Sequence, residues 1–209
     1  MHISEGVLSA PVLITGGGLA AAGVAYGLRK MDYDRVPQVA ITACAFFVAS
    51  LIHVPLGPAS MHLVLNGLTG ILLGWAAFPA ILTALFLQAI IFQFGGLTTL
   101  GINTFNLALP AVFCHLLFGR LIRSERKMIS STAAFLSGAA AIGLSGVMVA
   151  FTLIWSQEAF LLTARIILLS HIPIMVIEGV VTMLVVGFLK KVKKEMLEAP
   201  YAKSHTGLP

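Results

Sequence analysis

The chain has 209 residues, 58% of them hydrophobic and only 10% charged, with a mean hydropathy of +0.99. A soluble domain carries about 25% charged residues, so this composition excludes one and reads as a single polytopic domain in a bilayer. The net charge of +5 then marks cytoplasmic loops and not a nucleic-acid surface, and Cys44 and Cys114, each inside an apolar run, leave neither a disulfide framework nor a thiolate zinc site.

The chain opens Met1-His2. A histidine in second position is a special chelator. The α-amine of Met1, the amide nitrogen of His2 and Nδ1 of His2 can bind one metal in a single plane, leaving one in-plane corner for a remote imidazole. The next strong ligand in a suitable place is His62, in Gly57-Pro58-Ala59-Ser60-Met61-His62. Four nitrogens in a square suit Ni(II) or Cu(II), not tetrahedral zinc. Taken alone, His2 reads first as an early polar residue on a tail, and only the rest of the chain favours the chelator. No positive segment precedes the first apolar run, so no cleaved signal is expected. Met1 should persist, because the bulky His2 blocks removal of the initiator.

The first span is predicted over Pro11 to Leu28, with Gly16, Gly17, Gly18 and Gly23 suited to close helix packing. It ends at Arg29 and Lys30. A second span covers Val36 to Ile52, and the stretch His53 to Pro58 is too turn-rich for regular helix. The apolar run from His62 to Phe94 exceeds the about 20 residues that cross the hydrocarbon. It is split near Trp75 to Pro79 into two helices, His62 to Gly74 and Pro79 to Phe94, so that His62 starts a helix. A loop follows from Gly95 to Asn103. Further spans are predicted over Thr104 to Leu121, Thr132 to Trp155 and Leu162 to Leu189.

Seven spans put the termini on opposite sides. With the amino terminus outside and the carboxyl terminus cytoplasmic, 12 of the 13 basic residues are cytoplasmic and only Arg165 is outer. The expected fold is therefore an all-α polytopic membrane protein with seven transmembrane helices. It has one membrane domain over 1–191 and a solvated cytoplasmic tail over 192–209. Met1, His2, the 53–60 loop and His62 all fall on the outer side.

Several polar residues carry two readings each. His53 either touches the surroundings of the site or bonds a carbonyl at a helix end. Ser60 either borders the site or caps the helix that presents His62. Asn103 and Asn106 either orient the amino-terminal segment or a ligand imidazole, or, for Asn103, only cap a helix. Glu178 lies inside the last span, where an ionisable group costs about 2.5–3.5 kcal/mol on insertion scales. It is read first as a clasp to a neighbouring helix and second as part of coupling or metal release with His171, seven residues earlier.

Met1-His2-Ile3-Ser4-Glu5-Gly6, Pro58-Ala59-Ser60-Met61-His62-Leu63, Gly95 to Asn106, and His171-Ile172-Pro173 with Glu178-Gly179-Val180-Val181-Thr182 together resemble the CbiM/NikM family, the substrate-binding membrane subunits of energy-coupling-factor cobalt and nickel transporters. The resemblance runs to about Lys191. It implies a six-helix core with one extra amino-terminal helix in the cytoplasmic (inner) membrane, and capture of Ni(II) or Co(II) at the outer face. The implied metal ligands are Met1, His2 and His62. The implied partners are a transmembrane coupling subunit, cytoplasmic ATPase subunits and a small accessory membrane subunit. No resident cofactor and no enzymatic activity are expected, since the chain lacks a phosphate-binding Gly-x-x-x-x-Gly-Lys-Ser/Thr loop. His53 departs from an Asn that the family carries there. The rival expectation is a proton-coupled secondary metal transporter using His171 and Glu178.

Overall fold

A computed structural model describes residues 2–56 and 59–198, with the side chains of 53–56, 59–61 and 158 outside that description. Among the described residues there are seven α-helices, joined in places by single 3-10 turns: α1 (Ala10–Lys30), α2 (Val36–Ala49), α3 (Asn66–Leu73), α4 (Ala77–Phe92), α5 (Leu100–Ile122), α6 (Lys127–Ser156) and α7 (Leu161–Val192). Five helical stretches are long and apolar enough to cross a membrane: 10–30, 66–92, 100–122, 127–156 and 161–192. The second of these joins α3 and α4 through the 3-10 turn Gly74–Ala76. Helix α2, at 14 residues, is shorter than the about 20 that span the hydrocarbon core. Large apolar side chains such as Leu169, Ile172, Val176, Leu184 and Phe188 point outward along α7, as suits a lipid-facing helix and no soluble surface.

The helices end where the sequence permits. Pro11 lies in the first turn of α1, where its missing N–H costs nothing, and Arg29 and Lys30 occupy the last turn, facing the negative end of the helix dipole. The break between α3 and α4 needs Gly74, whose φ of 55° and ψ of −126° disfavour a side chain. Small residues set the interhelical contacts. Gly138 and Gly146 of α6 let α7 approach until a Cβ at Gly138 would come within 2.6 Å of Thr182 Oγ1, and one at Gly146 within 3.0 Å of the His171 ring. Gly70 of α3 lies directly against the Ala111 carbonyl of α5. Because backbone, not a flexible tip, opposes it, Gly70→Ala is expected to cost about 1–3 kcal/mol. A lowered thermal midpoint of the purified protein in detergent would register this.

The fold is not purely helical. His2–Ile3 (β1), His53–Leu56 (β2) and Ala59–His62 (β3) form an antiparallel sheet in the order β1-β3-β2. Ile3 is opposite Ala59 and His2 opposite Ser60, while His53 is opposite His62. Pro55 cannot donate to a ladder, and it falls on the edge strand. This corrects three expectations. The all-α description omits the sheet. His62 ends a strand and starts no helix. Ser60 lies within that strand and caps no helix; α3 begins four residues after His62, at Asn66, following Leu65 at φ 55° and ψ 23°. Asn103 is likewise no loop residue, because α5 begins at Leu100.

The ends of the bundle differ in character. The sheet, the 95–99 loop and Ser156, whose hydroxyl accepts from Ser9 N at 2.7 Å, gather at one end. The other end joins the α1–α2 turn, the α5–α6 turn and the residues after α7. There Lys194 pairs with Glu125 at 2.6 Å, Lys190 donates to the Ser124 carbonyl and Arg35 to the Glu195 carbonyl. The segment after α7 is not wholly solvated: a 3-10 turn, Lys194–Leu197, buries Leu197, and Gln38 donates to the Met196 carbonyl at 3.1 Å.

Candidate metal site

His2 and His62 are both buried, at 5% and 3% exposure, although they come from the second residue of the chain and from a surface sheet. Pairing of β1 with β3 carries them together. His62 Nε2 lies 3.1 Å from His2 Nδ1, with the ring centroids 4.6 Å apart and the planes 24° apart.

Their hydrogen bonds determine where the lone pairs point. His62 Nδ1 is 2.7 Å from the Leu63 carbonyl, which can only accept. Nδ1 therefore carries the proton, and Nε2 turns a lone pair toward His2. His2 Nε2 and Gln88 Oε1 are both buried without a hydrogen-bond partner among the described residues, and the Gln88 amide raises the proton affinity of the His2 ring. A proton on His2 Nε2 would suit Gln88 Oε1, leaving a second lone pair on Nδ1, 3.1 Å from His62 Nε2. Gln88 is itself held by donation to Ser50 Oγ at 2.6 Å. Burial holds both imidazoles well below their usual range, to about 4, outweighing Gln88 at His2 and the Leu63 carbonyl at His62. Both rings are neutral at pH 7, the state in which imidazole ligates a metal.

Two nitrogens on adjacent corners of one metal, each bonded at about 2.0–2.1 Å, stand roughly 2.8–3.0 Å apart. The observed 3.1 Å fits that arrangement.

The strand bearing His2 is pinned by side chains from α5 and its preceding loop. Asn103 Oδ1 accepts from Ile3 N at 3.0 Å and Asn103 Nδ2 donates to the Ile3 carbonyl at 3.0 Å, so one amide reads both backbone groups of Ile3. Thr99 Oγ1 takes the second Nδ2 proton at 3.1 Å. Glu5 accepts from Thr98 N at 3.0 Å, and its own N–H donates to the Gly95 carbonyl at 3.1 Å.

Of the residues expected near the site, the structure brings together His2, His62 and Asn103. Asn106, one turn further along α5, donates instead to Thr152 Oγ1 of α6 at 3.2 Å. The backbones of His53 and Ser60 lie in the sheet opposite His62 and His2, and Met1 lies outside the described residues. Gln88, Glu5 and Thr99 were missed from the sequence. Gln88 had a signal, being the lone amide in a helix whose one other polar side chain is Thr83.

A bundle of apolar helices whose sheet buries two imidazoles, nitrogen to nitrogen, is built like a membrane component that handles a transition metal. The family model described as cobalt uptake substrate-specific transmembrane region, CbiM, matches residues 2–196, and the chain belongs to that family. A Haemophilus influenzae protein named for metal transport is 41% identical over 94% of this chain and 97% of its own length. A Rhodobacter capsulatus fused nickel transport protein, NikMN, is 36% identical over 69% of this chain, which spans 45% of that longer protein. A crystal structure of a transition metal transporter superimposes with a TM-score of 0.77 at 26% identity, covering 92% of this chain and 93% of that one. The protein is thus a transmembrane component of cobalt or nickel uptake.

Proposed function

We propose that the chain captures Ni(II), or Co(II), at the outer face of the membrane as the substrate-binding subunit of an ATP-driven energy-coupling-factor importer. The ligands on this reading are the Met1 α-amine, the amide nitrogen and Nδ1 of His2, and Nε2 of His62. The observation that carries it is the pair of neutral, buried imidazole nitrogens at 3.1 Å. On this ligand set four nitrogens form a square, and that favours Ni(II) over zinc in a tetrahedron.

On this reading the chain passes seven times between the two faces, α2 and α3 being shorter than a full span; the sheet end faces outward and the end bearing Arg29, Arg35, Arg120, Arg123, Lys190 and Lys194 is cytoplasmic, in keeping with the distribution of basic residues. Energy comes from partner ATPases through a transmembrane coupling subunit, with a small accessory membrane subunit. The fused Rhodobacter capsulatus relative, more than half of which lies beyond the match, supports association with further subunits. Glu178, on which a proton-coupled exchanger would depend, is engaged with backbone amides of the chain, and this disfavours the rival mechanism.

Adding one residue before Met1 moves the free amine off the chelate ring and tests the assignment. Titration of purified protein with Ni(II) should give affinity at least about 100-fold weaker for the extended chain, with loss of the square-planar visible band. Wild-type affinity in the extended chain would remove the amine from the ligand set.

A further inference from the structure

Glu178 of α7 is fully buried in the middle of the bundle. Its Oε1 accepts from the backbone N–H of Val64 and, at 2.9 Å, from that of Leu65; Oε2 lies 3.1 Å from the same Leu65 N–H. These donors precede α3, whose own cap position, Leu65, offers no side-chain bond. A carboxylate at a helix N-terminus is well placed to take up such unpaired donors.

The donors' neighbours give the contact a further meaning. The Val64 N–H and the Leu63 C=O belong to one trans peptide unit, planar and rigid, whose two polar groups point in opposite directions. One end of that unit is held by Glu178. The other accepts the His62 Nδ1 proton at 2.7 Å. Carboxylate, peptide and imidazole thus form a series, and bonding at the N–H polarises the C=O. A carboxylate bonded directly to a ligand histidine fixes its tautomer and raises its basicity. Here a peptide unit stands between them.

We infer that Glu178 is the positioning residue for His62, acting through the 63–64 peptide to hold its Nε2 lone pair toward His2 Nδ1. This rests on the reading of His62 as a metal ligand. The packing of α6 on α7 serves the same end: a side chain at Gly138 would strike the Glu178 carbonyl and the Thr182 hydroxyl, so the glycine lets Glu178 sit close behind the peptide it grips.

The test uses full-length protein in detergent, with Glu178→Gln and Glu178→Ala beside the wild type. Without metal, the Val64 and Leu65 amides should exchange hydrogen at least about tenfold faster in both variants, and the His62 ring nitrogens should lose their pure Nδ1–H signature in nitrogen NMR. With Cu(II) alone as probe, Glu178→Gln should bind about tenfold and Glu178→Ala about 100-fold more weakly. The Glu178→Ala spectrum should move from a four-nitrogen to a three-nitrogen type. If Glu178→Ala does not fold, Glu178→Gln decides. A folded Glu178→Gln protein with wild-type His62 tautomer and wild-type Cu(II) affinity overturns the inference. Failure of the wild type itself to bind Cu(II) or Ni(II) would instead overturn the ligand reading, and the metal-free exchange and tautomer measurements would still judge the relay.

Discussion

His62→Ala is expected to weaken Ni(II) binding by more than about 100-fold. Removing an outer partner of a ligand costs roughly 10–100-fold, and this substitution removes a ligand. The His2 ring would keep its place in the sheet, because β1 is held by Ser60, Ala59 and Asn103 and not by His62. The three nitrogens of the first two residues would still grip the ion, so binding should survive at reduced affinity with water or another oxygen in the fourth corner. Isothermal titration combined with visible absorption separates these outcomes: weaker binding with a red-shifted band supports the assignment. Unchanged affinity and an unchanged band would show that His62 is no ligand, whatever its distance from His2.

Gly96→Ala should have the second large effect, although Gly96 touches no ligand. Its φ of 147° lies where L side chains are strained, and a Cβ there would overlap the Glu5 side chain that clips the 95–98 loop. Strained backbone of this kind costs about 1–3 kcal/mol, all of it borne by the docked arrangement of the first strand. If only docked strands capture metal, the apparent affinity falls with the docked fraction, by about five- to 150-fold for that cost. Faster hydrogen exchange at Ile3 and Glu5 should accompany the weaker Ni(II) titration. Adding Glu5→Ala relieves the overlap but not the φ strain, so the double variant should recover only part of the loss. Wild-type affinity and exchange in Gly96→Ala would show that docking of the strand is not controlled from this loop.

Much of the molecule is legible in the residue string. Apolar runs mark the long helices, because a bilayer admits little else. The split of the His62 to Phe94 run near Trp75 to Pro79 coincides with the Gly74–Ala76 turn, where Gly74 takes a positive φ that few other residues adopt. The opening Met1-His2 with a later histidine points to a nitrogen site and to the family.

Other features depend on groups far apart in the chain. His62 reads as a helix start because it opens a long, mostly apolar run. It lies in a strand because its backbone finds partners in β1 and β2, and a three-stranded pairing that begins at residue 2 has no local signature. Asn103 and Ile3 are 100 residues apart, and Glu178 and Leu65 are 113 apart. Each sequence position allowed a helix cap or a clasp, and neither named its target.

The sequence by itself determined the solvent this protein lives in, the approximate extent of its helices and the kind of atom able to hold a metal, because these follow from hydropathy, run length and donor chemistry. Only the tertiary structure decided which nitrogen faces which, and which amide, carboxylate and peptide hold them there. The bond that sets the His62 tautomer is local, to the next carbonyl, but the contacts that place that peptide and the first strand join segments 100 or more residues apart and exist only once the bundle has packed.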